Sequence, residues 1–180
     1  MNMPVARPIE GLHHFAWRCR DAEETRQFYE DLLGLPLVHV ICKDHVPSTG
    51  EFCPYVHIFF RLRDGACIAF FDLGDGAAAQ PSPNTPGWVN HIALRVQSRD
   101  DLVAMKSRLE VNGVEVVGVT DHDGYIESIY FHDPNGLRLE LTVEVASAQA
   151  VAGFADEAHA ELARWSSSSR LAAQTAKELA

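Results

Sequence analysis

Two stretches decide the reading of this chain: Leu12-His13-His14-Phe15-Ala16-Trp17-Arg18-Cys19 and Val89-Asn90-His91-Ile92-Ala93-Leu94-Arg95-Val96. Laid over each other, His14 meets His91, Ala16 meets Ala93, Arg18 meets Arg95, and apolar residues fill the places between. Both alternate with a period of two, the pattern of a half-buried strand. A charged stretch with helical periodicity follows each. The first runs from Asp21 to Leu33, with Phe28, Leu32 and Leu33 on one face and Gly34 as its stop. The second runs from Ser98 to Val111, with Leu102, Met105 and Leu109 on one face and Gly113 as its stop; Ser98 followed by Asp100 and Asp101 is a sound start.

The repeat resumes further on, with no gap inside the matching block. Residues His57 to Phe70 lie over Ser128 to Leu141, two strands about a turn in each copy. Asp133-Pro134-Asn135-Gly136 is a strong turn signal, and Arg63-Asp64-Gly65 is its weaker twin. Each half therefore reads strand, helix, strand, strand, strand. An insert near Asp44 to Cys53 lengthens the middle strands or loop of the first half. The Gly-, Ala-, Pro- and Ser-rich run Asp75 to Pro86 reads as the linker. Module one spans about 9–75, the linker 75–86 and module two about 87–145, which makes residues 1–146 one domain. Residues 147–180 form an Ala-rich helical extension of one or two helices, with a break expected at Ser166 to Ser169 and an apolar face at Phe154, Leu162 and Trp165.

Working outward, the 180 residues are 47% hydrophobic and 22% charged, enough for a real core in a globular protein. No apolar run approaches the roughly 18 residues of a membrane span, and the first twenty residues lack the pattern of a secretion signal. The net charge of −10 and pI near 5.3 argue against a nucleic-acid partner held through its phosphates. Cys19, Cys42, Cys53 and Cys67 form no C-x-x-C pair, so reduced, buried thiols in a cytoplasmic protein are expected rather than a Cys-rich zinc site.

Strand parity then selects the chemistry. His14, Ala16 and Arg18 share one face, as do His91, Ala93 and Arg95. In the last strand Leu137, Leu139 and Leu141 form the core set, so Arg138, Glu140 and Thr142 share the polar face. If the halves pair, His14, His91 and Glu140 converge as metal ligands. Register and parity both prefer His14 to its neighbour His13. The first-half counterpart of Glu140 is Ala69, so the site is asymmetric, with positions left for water and substrate. Two histidines and one carboxylate suit Fe(II) and oxygen chemistry; Mn(II), Zn(II) and Ni(II) suit the same set.

Over residues 9 to 145 the sequence resembles the vicinal oxygen chelate superfamily of glyoxalases, fosfomycin-resistance thiol transferases and type I extradiol dioxygenases. The features that carry the likeness include Phe28-Tyr29 and Leu33-Gly34. In the second half, Thr120-Asp121-His122, Ile129-Tyr130, Asp133-Pro134-Asn135-Gly136 and Glu140 follow in the order and spacing of the extradiol signature. The resemblance implies an α+β fold in which two βαβββ modules pair into one cupped mixed sheet, here with a C-terminal helical extension, in the manner of the one-domain members. It implies that Glu140 binds iron and that His122 and Tyr130 stand near the substrate oxygens, where each can give or accept a proton. Such enzymes also use an acid/base histidine from the other module; His57 is the nearest candidate, with His45 behind it. His39, His132 and His159 are assigned structural or surface roles.

The expected function is an Fe(II)-dependent dioxygenase that opens the ring of a catechol-like diol, with dioxygen and a small aromatic or other vicinal-oxygen substrate as partners. The alternatives are a metalloenzyme of the same fold without oxygen chemistry (isomerase, epimerase, lyase or thiol transferase) or a metal-free ligand-sequestering protein. A homo-oligomer is expected, with the terminal helix either capping the cup or packing on a neighbouring subunit. No membrane or nucleic-acid partner is expected.

Overall fold

The computed structural model describes residues 9–178; the outermost parts of the expected domain and extension, residues 1–8 and 179–180, lie outside them. Strand β1 (His14–Cys19) buries Cys19 and turns Phe15 and Trp17 toward the core, leaving His14 and Ala16 on the open face. Asp21 then caps helix α1 (Ala22–Arg26), its carboxylate accepting the Glu24 N–H at 2.7 Å. The helix continues as a π-helical segment, Gln27–Leu32, that buries Phe28 and Tyr29. At its end Gly34 takes φ 77°, a left-handed conformation that suits glycine. Strands β2 (Leu37–His45), β3 (Phe52–Arg61) and β4 (Cys67–Asp72) complete the first module.

The second module repeats the order: β5 (Ile92–Arg95), α2 (Arg99–Val111), β6 (Val117–His122), β7 (Ile126–His132) and β8 (Arg138–Glu144). Ser98 caps α2 and accepts the Asp101 N–H, as its sequence implies. The hydrogen-bonded strands form two four-stranded sheets, one per module, ordered β1-β4-β3-β2 and β5-β8-β7-β6. In each the first strand is an edge strand, parallel to the last; the other pairs are antiparallel. The register reproduces the repeat: Ala69 faces Phe59 in one sheet, and Glu140 faces Tyr130 in the other. The insert in the first half appears as longer middle strands, nine and ten residues against six and seven.

One apolar core runs through both modules, with Tyr29, Phe60 and Phe70 from the first and Leu102, Phe131 and Leu139 from the second. The turn Asp133–Gly136 also locks the modules together. Asp133 accepts the Asn135 and Leu137 N–H groups at 2.8 Å and the Tyr29 hydroxyl at 3.1 Å. Asn135 donates to Thr25 Oγ1 at 3.1 Å and accepts the Arg20 N–H at 3.0 Å. These groups are buried, so each bond replaces water that the core excludes. Burial pushes the Asp133 carboxyl above the usual carboxylate range despite its donors.

Two expectations need correction. No break occurs at Ser166 to Ser169: α3 (Ala148–Glu178) is a single helix of 31 residues. The hydroxyls of Ser166 and Ser167 bond back to the Leu162 and Ala163 carbonyls at 2.8 and 2.9 Å, which satisfies serine inside a helix instead of ending it. Its apolar positions Phe154, Leu162 and Trp165 are exposed, with Phe154 resting edge-on against Tyr125 at 5.5 Å. The cysteines are free as expected, but only Cys19 is buried; Cys42 is exposed on β2, and Cys53 and Cys67 are half-buried. Among the described residues, no helix is long and apolar enough to cross a membrane.

Candidate functional site

Along β8, Leu139, Leu141 and Val143 enter the core, which sends Arg138, Glu140 and Thr142 to the opposite face. Glu140 is nevertheless only 3% exposed. A buried carboxylate needs partners, and it has two. Ser128, its diagonal neighbour on β7 and itself fully buried, donates its hydroxyl to Oε1 at 2.5 Å. His91, one residue before β5, places Nε2 3.0 Å from Oε2. The Nδ1 of His91 lies 2.9 Å from the Val89 carbonyl, which can only accept, so Nδ1 carries hydrogen. The Nε2–Oε2 contact is therefore satisfied by a hydrogen shared between the two groups or by a cation that both bind. A carbonyl behind one ring nitrogen and an open lone pair on the other is the arrangement of a metal-binding histidine.

Tyr130 lies opposite Glu140 across the β7–β8 ladder, its ring edge-on to His91 at 6.2 Å. Its hydroxyl is 2.7 Å from His122 Nε2. Partial burial, and then the charge of Glu140, raise the Tyr130 hydroxyl above the ordinary tyrosine range. His122 reaches this face through a bulge. The β6 register shifts between Gly118 and Thr120, so odd-numbered Val117 and even-numbered Thr120 and His122 come to share one side. Gly118 has φ 107°, and a Cβ there would stand 2.6 Å from the Ser128 carbonyl, so glycine is required.

His14 and His57 stand on the other sheet. His14 starts β1, with Nδ1 2.7 Å from His13 Nδ1 and its ring near Phe59 and His57, at 5.5 and 6.0 Å. His57, on β3, is 7% exposed and stacks on Phe71 at 3.6 Å. Its Nε2 is buried without a hydrogen-bond partner among the described residues. Burial, and then the nearby His14 and His39, bring its pKa down to about 4. His45, the second candidate for that role, lies at the far end of β2 against Phe52. His39, His132 and His159 are exposed.

The structure thus brings His91, Glu140, Tyr130 and His122 together and holds His14 and His57 in a second group. Among the described residues, no three His, Cys, Asp or Glu side chains gather closely enough to hold a metal ion. The His91–Glu140 pair fits a divalent cation by its facing acceptors; His14 does not join that pair within the chain. Two open depressions, one beside Phe28 and Arg108 and one beside Cys42 and Tyr55, include none of these residues. Sequence reasoning put Arg138 on this face without giving it a role and passed over Ser128, for which parity held the signal: it is two residues from Tyr130 and shares the site's face.

Among curated proteins, the chain is 27% identical over 139 residues to MhqA of Bacillus subtilis (strain 168), which carries the name of a ring-cleaving dioxygenase; the match covers 76% of this chain and 41% of that protein. It is 26% identical over 132 residues to biphenyl-2,3-diol 1,2-dioxygenase of Paraburkholderia xenovorans (strain LB400), covering 73% and 40%. The chain therefore spans about two fifths of the length of these relatives. Among solved structures, it superposes with a TM-score of 0.55 on the fosfomycin resistance protein FosX of Listeria monocytogenes, crystallised with Mn(II) and sulfate, at 22% identity over 78% of this chain and 96% of that one. At that identity the likeness is one of fold. The profile of the Glyoxalase/Bleomycin resistance protein/Dioxygenase superfamily matches residues 11–141, most of the chain, and the protein belongs to that superfamily.

Proposed function

We propose that the protein is an Fe(II)-dependent extradiol-type dioxygenase acting on a catechol-like aromatic diol. The observation that carries this reading is the contact of His91 Nε2 with the buried Glu140 carboxylate, 3.0 Å long, with the hydrogen-bonded Tyr130 and His122 beside it. His91 and Glu140 would hold the metal, and His14 is proposed as the third protein ligand. His14 lies on β1 and His91 just before β5, each an edge strand of its own sheet. A homo-oligomer in which β1 of one copy meets β5 of another would bring the three together.

Bound Fe(II) would supply the redox chemistry that joins dioxygen to the diol, a reaction in which catechol and dioxygen give a ring-opened acid that keeps every atom of both. The chain's own residues serve the protons. Ser128 holds one carboxylate oxygen of Glu140 and so aims the other at His91. Tyr130 and His122 share a hydrogen bond through which a diol proton can leave. His57, beside His14, would join the site across the same contact between copies, where its unpartnered nitrogen would accept a proton and return it.

Anaerobic loading with Fe(II), followed by air and a panel of catechols, is expected to give oxygen uptake and a yellow ring-opened product. Loaded protein that shows neither with any catechol would rule the reading out. Air-independent activity with Zn(II) or Ni(II) but not Fe(II) would instead support Lewis-acid chemistry at the same residues.

A further inference from the structure

We infer that Arg138 recognises a carboxylate carried by the substrate of this site, so that an aromatic acid bearing a vicinal diol is preferred to the bare diol. The inference rests on His91 and Glu140 marking the reaction centre. Arg138 and Glu140 are two residues apart on β8 and share a face, their Cα atoms about 7 Å apart by strand rise. A ligand held at Glu140 therefore has Arg138 beside it on the same face of the strand.

The guanidinium is already placed for this task. It lies over the Tyr130 ring, 4.1 Å from the centroid. One terminal nitrogen donates to the Trp88 carbonyl at 2.6 Å. Stacking and this bond fix the plane of the group and leave further N–H donors for a ligand. Its charge is also uncompensated. In a chain of net charge −10, Arg18, Arg20, Arg26 and Arg99 each meet a carboxylate. Arg138, like Arg61, Arg63, Arg95 and Arg108, is in no ion pair among the described residues, and of these it is the one whose guanidinium lies over Tyr130. A planar, oriented guanidinium without a counter-ion matches the two oxygens of a carboxylate, and the neighbouring Tyr130 ring favours a ligand that is itself flat and apolar.

Arg138 also holds the segment that carries His91, since Trp88 lies three residues before it. A purely structural role would affect all ligands alike, and a recognition role only those with an acid. The test is equilibrium binding by calorimetry, which needs no turnover, of catechol and of 3,4-dihydroxybenzoate to the full chain. Wild-type protein is expected to bind the acid at least about tenfold more tightly than catechol, in keeping with a charge-assisted pair. Arg138→Met is expected to bring the ratio of the two affinities to about one, and Arg138→Lys to retain part of the preference.

Equal affinity of wild type for the two ligands overturns the inference. So does a preference that survives in Arg138→Met, an equal loss of both ligands in that variant, or no measurable binding of either ligand to wild type. Oxygen uptake keeps the two readings apart. Uptake without a carboxylate preference refutes the inference alone, and a preference without uptake refutes the dioxygenase reading alone.

Discussion

Replacing Ser128 with Ala removes one oxygen from the centre of the second sheet, and its consequence can be worked from the structure. The Ser128 hydroxyl is fully buried and donates at 2.5 Å to Glu140, which is itself only 3% exposed. Water cannot readily take the place of the lost donor. A hydrogen bond to a charged group contributes about 1.5–3 kcal/mol. Part of that loss destabilises the fold, because the buried Glu140 carboxyl is left short of a donor. The rest appears at the ligand function, since a carboxylate freed on one side no longer presents its other oxygen to His91 in a fixed direction. Removing an outer partner of a metal ligand weakens binding about 10- to 100-fold. Titration of Mn(II), which avoids oxidation, into wild type and Ser128→Ala should show a Kd raised within that range. Circular dichroism would confirm that the variant is folded at the temperature used. An affinity within about twofold of wild type, in a folded variant, would refute the reasoning, because Ser128 would then have no hold on the ligand.

Tyr130→Phe should leave Mn(II) affinity nearly unchanged and lower kcat for catechol oxidation about 10²- to 10⁴-fold, the range of general acid–base catalysis; an unchanged kcat would remove Tyr130 from the proton path. His57 gives a pH dependence of folding. Its folded pKa of about 4 lies below the ordinary 6.5, so between those values the unfolded chain binds the extra proton and stability falls as pH falls, by at most about 3 kcal/mol. Urea unfolding at pH 7.5 and pH 5 should show this loss in wild type and a smaller one in His57→Phe; parallel losses would refute it. If His14 reaches His91 and Glu140 across two copies, mixing and refolding His14→Ala with Glu140→Ala chains should restore part of the metal binding that each lacks alone, and no recovery would confine the site to one chain.

The modular fold was legible because it rests on local rules. His14-Phe15-Ala16-Trp17 and His91-Ile92-Ala93-Leu94 announce strands by alternation, Ser98 and Gly113 bound a helix, and Asp133-Pro134-Asn135-Gly136 makes its turn. Parity likewise placed Glu140 on the face opposite Leu139 and Leu141. What escaped depends on contacts between elements. The bulge at Gly118 reverses the parity of β6 and turns His122 toward Tyr130, and nothing in the alternation of that strand announces it. The burial of Glu140 comes from Ser128 and His91, two neighbours distant in sequence. The division into two sheets, which keeps His14 with His13 and His57, is set by packing between modules. In α3 a run of serines looks like a break, yet a hydroxyl that bonds to the carbonyl four residues back continues the helix.

The central claim is that His91 and Glu140 hold a divalent metal. The most direct measurement is Mn(II) titration of the full chain, with bound metal counted by elemental analysis, for wild type, His91→Ala and Glu140→Gln. The account predicts about one metal per chain in wild type and loss of binding in both variants. Wild type that binds no divalent metal, or folded variants that bind it as wild type does, would contradict it.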